Sequence, residues 1–259
     1  MPASLKSHSQ GQTMVLTISN PDSRNALGPE IYAAGVEALN AAESSPEVRS
    51  VIITGEGEHF CAGGNLQRLM ANRQKTRDVQ AASIDGLHSW IESIRAFPKP
   101  VIASVEGACA GAGFSLALAC DLIVAARNAV FVMSYSNVGL SPDGGGSWSL
   151  MNLLPRATAM RLLLLGERVT PERLEQLGVV SQITEQGEAM QVASEMARKI
   201  NERSPNTMSS IKELANEALG APLHQHLGNE RDHFVRNLFH ENGGEGIQAF
   251  LEKRPPRYR

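Results

Sequence analysis

The sequence predicts an α/β fold with partly parallel sheets, followed by a helical C-terminal part. Three observations carry this. Short, wholly apolar runs such as "RSVIITGEG" (49–57) and "VIASVEG" (101–107) read as buried strands, since a strand covered on both faces needs no polar side. Segments with apolar residues at helical spacing alternate with them. Beyond residue 150 the pattern turns helical.

Taken in order, "MVLTISNP" (14–21) alternates and stops at a turn, so it predicts a strand. "PEIYAAGVEALNAAE" (29–43) predicts a helix opened by Pro29, whose missing N–H costs nothing in the first turn. "IDGLHSWIESIRAF" (84–97) predicts an amphipathic helix stopped by "PKP". "DLIVAA" (121–126) and "AVFVM" (129–133) predict two more strands. "ATAMRLLLLG" (157–166) and "TPERLEQLG" (170–178) predict helices ending at glycine. Two further helices fall at about 186–202 and 205–219, and the tail "GIQAFLEKRPPRYR" is short and basic. This divides the chain into an α/β core, 1–200, and a helical region, 201–259. Segment 66–84 is polar and uneven, which predicts a mobile loop.

The chain has 259 residues, 42% hydrophobic and 20% charged, with net charge −3. That balance gives no footprint for nucleic acid or an anionic membrane surface. The longest apolar runs fall far short of a bilayer span, and the first twelve residues lack an apolar signal core. Three cysteines without metal-ligand spacing predict reduced thiols, no metal site and a cytoplasmic protein.

Chemistry concentrates in three glycine-rich loops: "GEHFCAGGNL" (57–66), "EGACAGAGFSLALACD" (106–121) and "LSPDGGGSW" (140–148). A dinucleotide cradle fails on spacing, because Gly111 and Gly113 are followed by Leu116 where G-x-G-x-x-G needs glycine. A serine hydrolase is a second reading. "GFSLA" (113–117) nearly matches the nucleophile elbow, and Asp143 with His224, His226, His233 or His240 keeps the order Ser, Asp, His. The third reading uses backbone. Two glycine loops facing each other offer two N–H donors, one of them at a helix start, to a developing oxyanion. By itself, Pro-Asp-Gly around Asp143 is ordinary turn chemistry. His59 reads as a loop residue, Asn65 as a local hydrogen-bonding residue, and Cys61 and Cys109 as packing residues.

"HFCAGGNL", "KPVIASVEGACAGAGFSLALACDLIVAA", "VGLSPDGGGSWSLMNLLP" and "EGIQAFLEKR" together resemble the crotonase, or enoyl-CoA hydratase/isomerase, superfamily, in the family's order from about residue 12 to 254. The resemblance implies an α/β fold with a crotonase-like ββα spiral core and a C-terminal helical trimerisation region. It implies an acyl-CoA substrate, no cofactor apart from the CoA of that substrate, and a homotrimer or homohexamer. The oxyanion amides would be those of Gly64 and Ala112. Asn25, Ala26, Leu27 and Ala62 would lie along the CoA, and Phe250 and Lys253 would reach a CoA, often a neighbouring subunit's. The two glutamates of hydratases in the family fall at Ser115 and Tyr135, so the two-acid hydration machinery is absent. Asp143 matches the single acid/base of isomerase branches, with Leu140 and Trp148 as its expected apolar flank. Tyr135 either donates to a substrate oxygen or packs. The reaction implied is a shift of a 3-enoyl-CoA to a 2-enoyl-CoA. The alternatives are an unusual hydratase, a hydrolase or dehalogenase with Asp143 as nucleophile, and a non-catalytic acyl-CoA binder.

Overall fold

The computed structural model describes residues 3–259. Its strands are β1 (Ser4–Gln10), β2 (Thr13–Ser19), β3 (Ser50–Gly55), β4 (Val101–Val105), β5 (Ala108–Ala110), β6 (Leu122–Ala126), β7 (Val130–Val132), β8 (Arg168–Val169) and β9 (Gln182–Thr184). Its helices are α1 (Pro29–Ser44), α2 (Leu66–Asn72), α3 (Arg77–Ala96), α4 (Ala112–Ala119), α5 (Gly146–Leu153), α6 (Arg156–Leu165), α7 (Pro171–Gln176), α8 (Ala189–Asn201), α9 (Pro205–Ala218), α10 (Leu223–Leu238) and α11 (Glu241–Leu251). None of these helices is long and apolar enough to cross a membrane.

The larger sheet runs β1-β2-β3-β4-β6-β9 and the smaller β5-β7-β8. Pairing is antiparallel at β1–β2 and β7–β8 and parallel elsewhere. The register lines Val15, Ile52 and Ile102 on one face, where α8 covers them with Ala189, Ala193 and Ala197. Alanine at every fourth position keeps that helix face small and lets it lie close to the sheet. The other face carries Leu16, Ile53 and Ala103 into the main core with Trp90, Phe114 and Phe131. Helices α1 and α3 pack there at very short range, because a Cβ on Gly35 would stand 2.3 Å from the Trp90 ring.

Two expectations need correction. Segment 66–84 is not an irregular loop but mostly helix. Asn65 Oδ1 accepts the Arg68 amide at 3.0 Å and starts α2, and α3 begins at Arg77, seven residues before the predicted start. Beyond 219, α10 and α11 occupy most of the chain, as expected of a helical region, and α11 takes in the start of the segment 246–259. The tail itself is held by Arg254, whose guanidinium donates to both Glu245 carboxylate oxygens at 2.7 and 2.9 Å. Phe234, Phe239, Phe250 and Leu251 remain exposed on these last helices.

Candidate active site

The loops 61–64 and 108–112 are zipped together. The Cys61 amide donates to the Ala108 carbonyl and the Ala110 amide to the Cys61 carbonyl, both at 2.9 Å. The Leu27 amide donates to the Gly63 carbonyl at 2.8 Å, turning that carbonyl away. This leaves the Gly64 amide, and the Ala112 amide at the first position of α4, without acceptors among the described residues. Gly113 lets the two loops touch: a Cβ there would lie 2.5 Å from the Cys61 carbonyl oxygen and 2.8 Å from its Sγ. The pair of amides, one carrying the positive end of a helix, suits a developing oxyanion.

Asp143 stands next to the start of α4. Tyr135 donates its hydroxyl to Asp143 Oδ1 at 2.6 Å, and the Tyr135 ring lies against Gly111. Burial, then the Asp143 charge, raises the Tyr135 phenol above its ordinary value, so it remains a donor. Ser115, fully buried one turn into α4, donates to the Asp143 carbonyl at 2.9 Å. The glycines of this loop have separate reasons. Gly144 and Gly145 hold φ of 58° and 74°, which disfavours side chains, while a Cβ on Gly146 would sit 2.5 Å from Ser115 Oγ.

The sequence therefore brings together Asp143, Tyr135, Gly64 and Ala112 as one locus. Other expected positions fall differently. Trp148 is 48% exposed and lies under the Arg95 guanidinium at 4.6 Å, and Leu140 is also exposed, so neither encloses Asp143. Trp148 belongs instead to a cavity of about 580 Å³ with Asp121 and Lys212 at the far end of α4. The apolar flank of the Asp143 loop is Leu87 and Ile91 of α3, which face Gly144 and Gly145. Asn25 is fully buried with φ 59°. Its side chain is committed to the Asn20 amide and to the Glu56 and His59 carbonyls, and its own amide donates to the Asn20 carbonyl at 2.8 Å, so Asn25 shapes this turn from within. Ala26 and Leu27 are buried beside it, and Ala62 donates its amide to the Arg24 carbonyl. Phe250 is 84% exposed and Lys253 stands exposed beyond it.

His59 accepts the Ala108 amide at Nδ1 and is a structural residue. Cys61 and Cys109 are buried free thiols, and burial pushes Cys61 up to about 12, which removes both from nucleophilic work. The serine-hydrolase constellation does not assemble. Ser115 is bonded to backbone carbonyls, while His224, His226 and His233 lie on α10 and His240 caps α11. No group of side chains suited to a metal ion occurs among the described residues. The sequence missed Tyr32 on α1, a buried phenol whose ring packs over Gly86 and which burial and the nearby Asp143 charge keep protonated. At helical spacing it reads only as a core position.

Comparison with known proteins places this geometry. A family model described as enoyl-CoA hydratase/isomerase matches residues 8–259. The 1,2-epoxyphenylacetyl-CoA isomerase of Escherichia coli K12 is 33% identical over 97% of both chains. The 2,3-dehydroadipyl-CoA hydratase of the same organism is 32% identical over 96% of both. A crystal structure of an enoyl-CoA hydratase from Polaromonas sp. JS666 superposes with a TM-score of 0.98 at 67% identity, covering 99% of this chain and 100% of that one.

Proposed function

The chain belongs to the enoyl-CoA hydratase/isomerase family, and we propose that within it this enzyme shifts the double bond of a 3-enoyl-CoA to give the conjugated 2-enoyl-CoA. The supporting observation is the Tyr135–Asp143 pair: one carboxylate, held on Oδ1 by a phenol that burial and the Asp143 charge keep protonated, beside two free backbone amides. The thioester oxygen sits between the Gly64 and Ala112 amides. Asp143 takes the C2 proton on its free oxygen and leaves a dienolate whose negative charge the amides hold. The protonated Asp143 then delivers the same proton to C4. One group serves as base and then acid, so a 1,3-proton shift needs no second carboxylate and no further cofactor. Hydration has to orient a water as well, and the positions that carry glutamate in hydratases are Ser115, tied to backbone, and Tyr135, tied to Asp143.

The reading extends to CoA contact by the backbone near Asn25, Ala26, Leu27 and Ala62. It assigns Phe250 and Lys253 to a neighbouring subunit's CoA in a homotrimer or homohexamer. The exposed apolar side chains of α10 and α11 support such an assembly.

The test follows conjugation of trans-3-hexenoyl-CoA by ultraviolet absorbance. Wild type forms the conjugated thioester, and D143N loses roughly 10²–10⁴ of the rate while still binding the thioester. Equal rates from both proteins would sink the proposal.

A further inference from the structure

Tyr32 is the polar side chain at this locus whose protein partners are missing. Its ring lies in the core cluster between α1 and α3, with Cδ2 3.5 Å from where a Cβ on Gly86 would stand. The next residue, Leu87, reaches to 3.3 Å of the Cβ position on Gly144, the residue after Asp143. One turn of α3 thus carries Tyr32 on one side and the Asp143 loop on the other. The phenol is 7% exposed, yet its hydroxyl has no hydrogen-bond partner among the described residues and is not among the polar atoms sealed from solvent. The ring is packed away while the hydroxyl stays open to water, so a ligand oxygen can take the water's place at little cost, and a ligand that covers the hydroxyl without pairing it loses about 1–3 kcal/mol. Tyr135, in contrast, spends its hydroxyl on Asp143. Tyr135 is bonded to the carboxylate and Tyr32 stands near enough to feel its charge, so one phenol of this locus is committed within the protein and the other is not.

We propose that Tyr32 is a specificity determinant of this site, its hydroxyl hydrogen-bonding a neutral oxygen substituent on the acyl group of the CoA thioester. This rests on the reading of the locus as an acyl-CoA site, though not on the direction of the proton shift. The chemistry of the neighbourhood narrows the substituent. A protonated phenol both donates and accepts, which suits a hydroxyl, carbonyl or ether oxygen. A carboxylate-ended acyl chain would meet the like charge of Asp143, which costs more in a water-poor site than one neutral hydrogen bond returns. A wholly hydrocarbon chain leaves the hydroxyl unpaired when the cleft closes over it, and so binds less well.

Binding of saturated thioesters tests this apart from turnover. Hexanoyl-CoA, 5-hydroxyhexanoyl-CoA, 6-hydroxyhexanoyl-CoA and adipyl-CoA are titrated by calorimetry into wild type and Y32F, a variant that keeps the ring and its packing. Wild type prefers at least one hydroxyacyl thioester over hexanoyl-CoA by about three- to tenfold, the worth of one neutral hydrogen bond. Y32F erases that preference and leaves hexanoyl-CoA affinity within about twofold. Equal weakening of every thioester, or no change in any, would make Tyr32 a packing residue and overturn the proposal. A Tyr32-dependent preference for adipyl-CoA would overturn the choice of a neutral substituent. If wild type binds none of the four, the shared premise of an acyl-CoA site falls as well. A failure of the isomerase reading instead appears only in the conjugation assay with D143N.

Discussion

The two halves of the candidate active site are made from different materials. The proposed oxyanion side is backbone: Gly64 and Ala112 would contribute only N–H groups, and their placement depends on how closely two loops approach. The proposed acid/base side is side chain: Asp143 is held by a phenol on its carboxylate and by a serine on its carbonyl. A backbone half tolerates a change of side chain wherever space exists and fails wherever a Cβ intrudes. A side-chain half fails by losing single hydrogen bonds, in smaller steps.

The sharpest way to break the comparison lies on the backbone side. Gly113→Ala drives a Cβ to 2.5 Å from the Cys61 carbonyl and parts the loops. Conjugation should fall by roughly 10²–10³, the loss of one oxyanion donor. Gly64→Ala, at an oxyanion residue itself, meets nothing within 4 Å and should stay within a few-fold of wild type. Similar rates for the two variants would remove the distinction.

On the side-chain side the steps should be shorter. Tyr135→Phe frees the Asp143 carboxylate to rotate and should lower kcat about tenfold with KM nearly unchanged, the cost of one charge-assisted hydrogen bond. Because burial holds the Tyr135 and Tyr32 phenols above the ordinary value of 10.0, the wild-type rate should show no decline from tyrosine ionisation up to that pH. A decline that Tyr135→Phe removes would place the proton elsewhere than on Tyr135. Ser115→Ala deletes one of two donors to the Asp143 carbonyl, since the Gly146 amide remains at 3.2 Å. It should cost about 1 kcal/mol of stability in a denaturant titration and a few-fold in kcat.

The smallest effect is remote from both halves. Arg254 and the Arg257 amide hold the Glu245 carboxyl down to about 2. A depressed acid stabilises the fold above its unfolded value of 4.5, and that contribution fades as pH falls from there toward about 2. Glu245→Gln should therefore loosen residues 254–259 at neutral pH, read as faster amide exchange in the tail, with conjugation rate unchanged.

The legible parts of the molecule are those whose signal is local. β3 and β4 were readable as unbroken apolar runs, α1 from Pro29 and its spacing, and α7 from its Thr170 cap. The N-terminus of α3 escaped because residues 77–83, RDVQAAS, are largely exposed and carry no apolar period; Gln80 is tied to α2 by the Asn72 side-chain amide at 2.9 Å. β5, β8 and β9 span two or three residues each and exist only through pairing. Trp148 looked like a neighbour of Asp143 because it follows by five positions. Helix α5 instead carries it away toward Arg95.

By itself the sequence determined the α/β class, the family, the two glycine-rich loops and the lone aspartate between proline and glycine, because each is written in contiguous residues whose turn chemistry or apolar pattern leaves few alternatives. The tertiary structure alone decided which hydroxyl holds Asp143, which apolar residues flank it, and that Tyr32 lies unpaired beside it. Those depend on residues 8, 28 and more than 100 positions apart coming to one locus, the first two pairs within hydrogen-bonding distance, which packing sets and chain order does not.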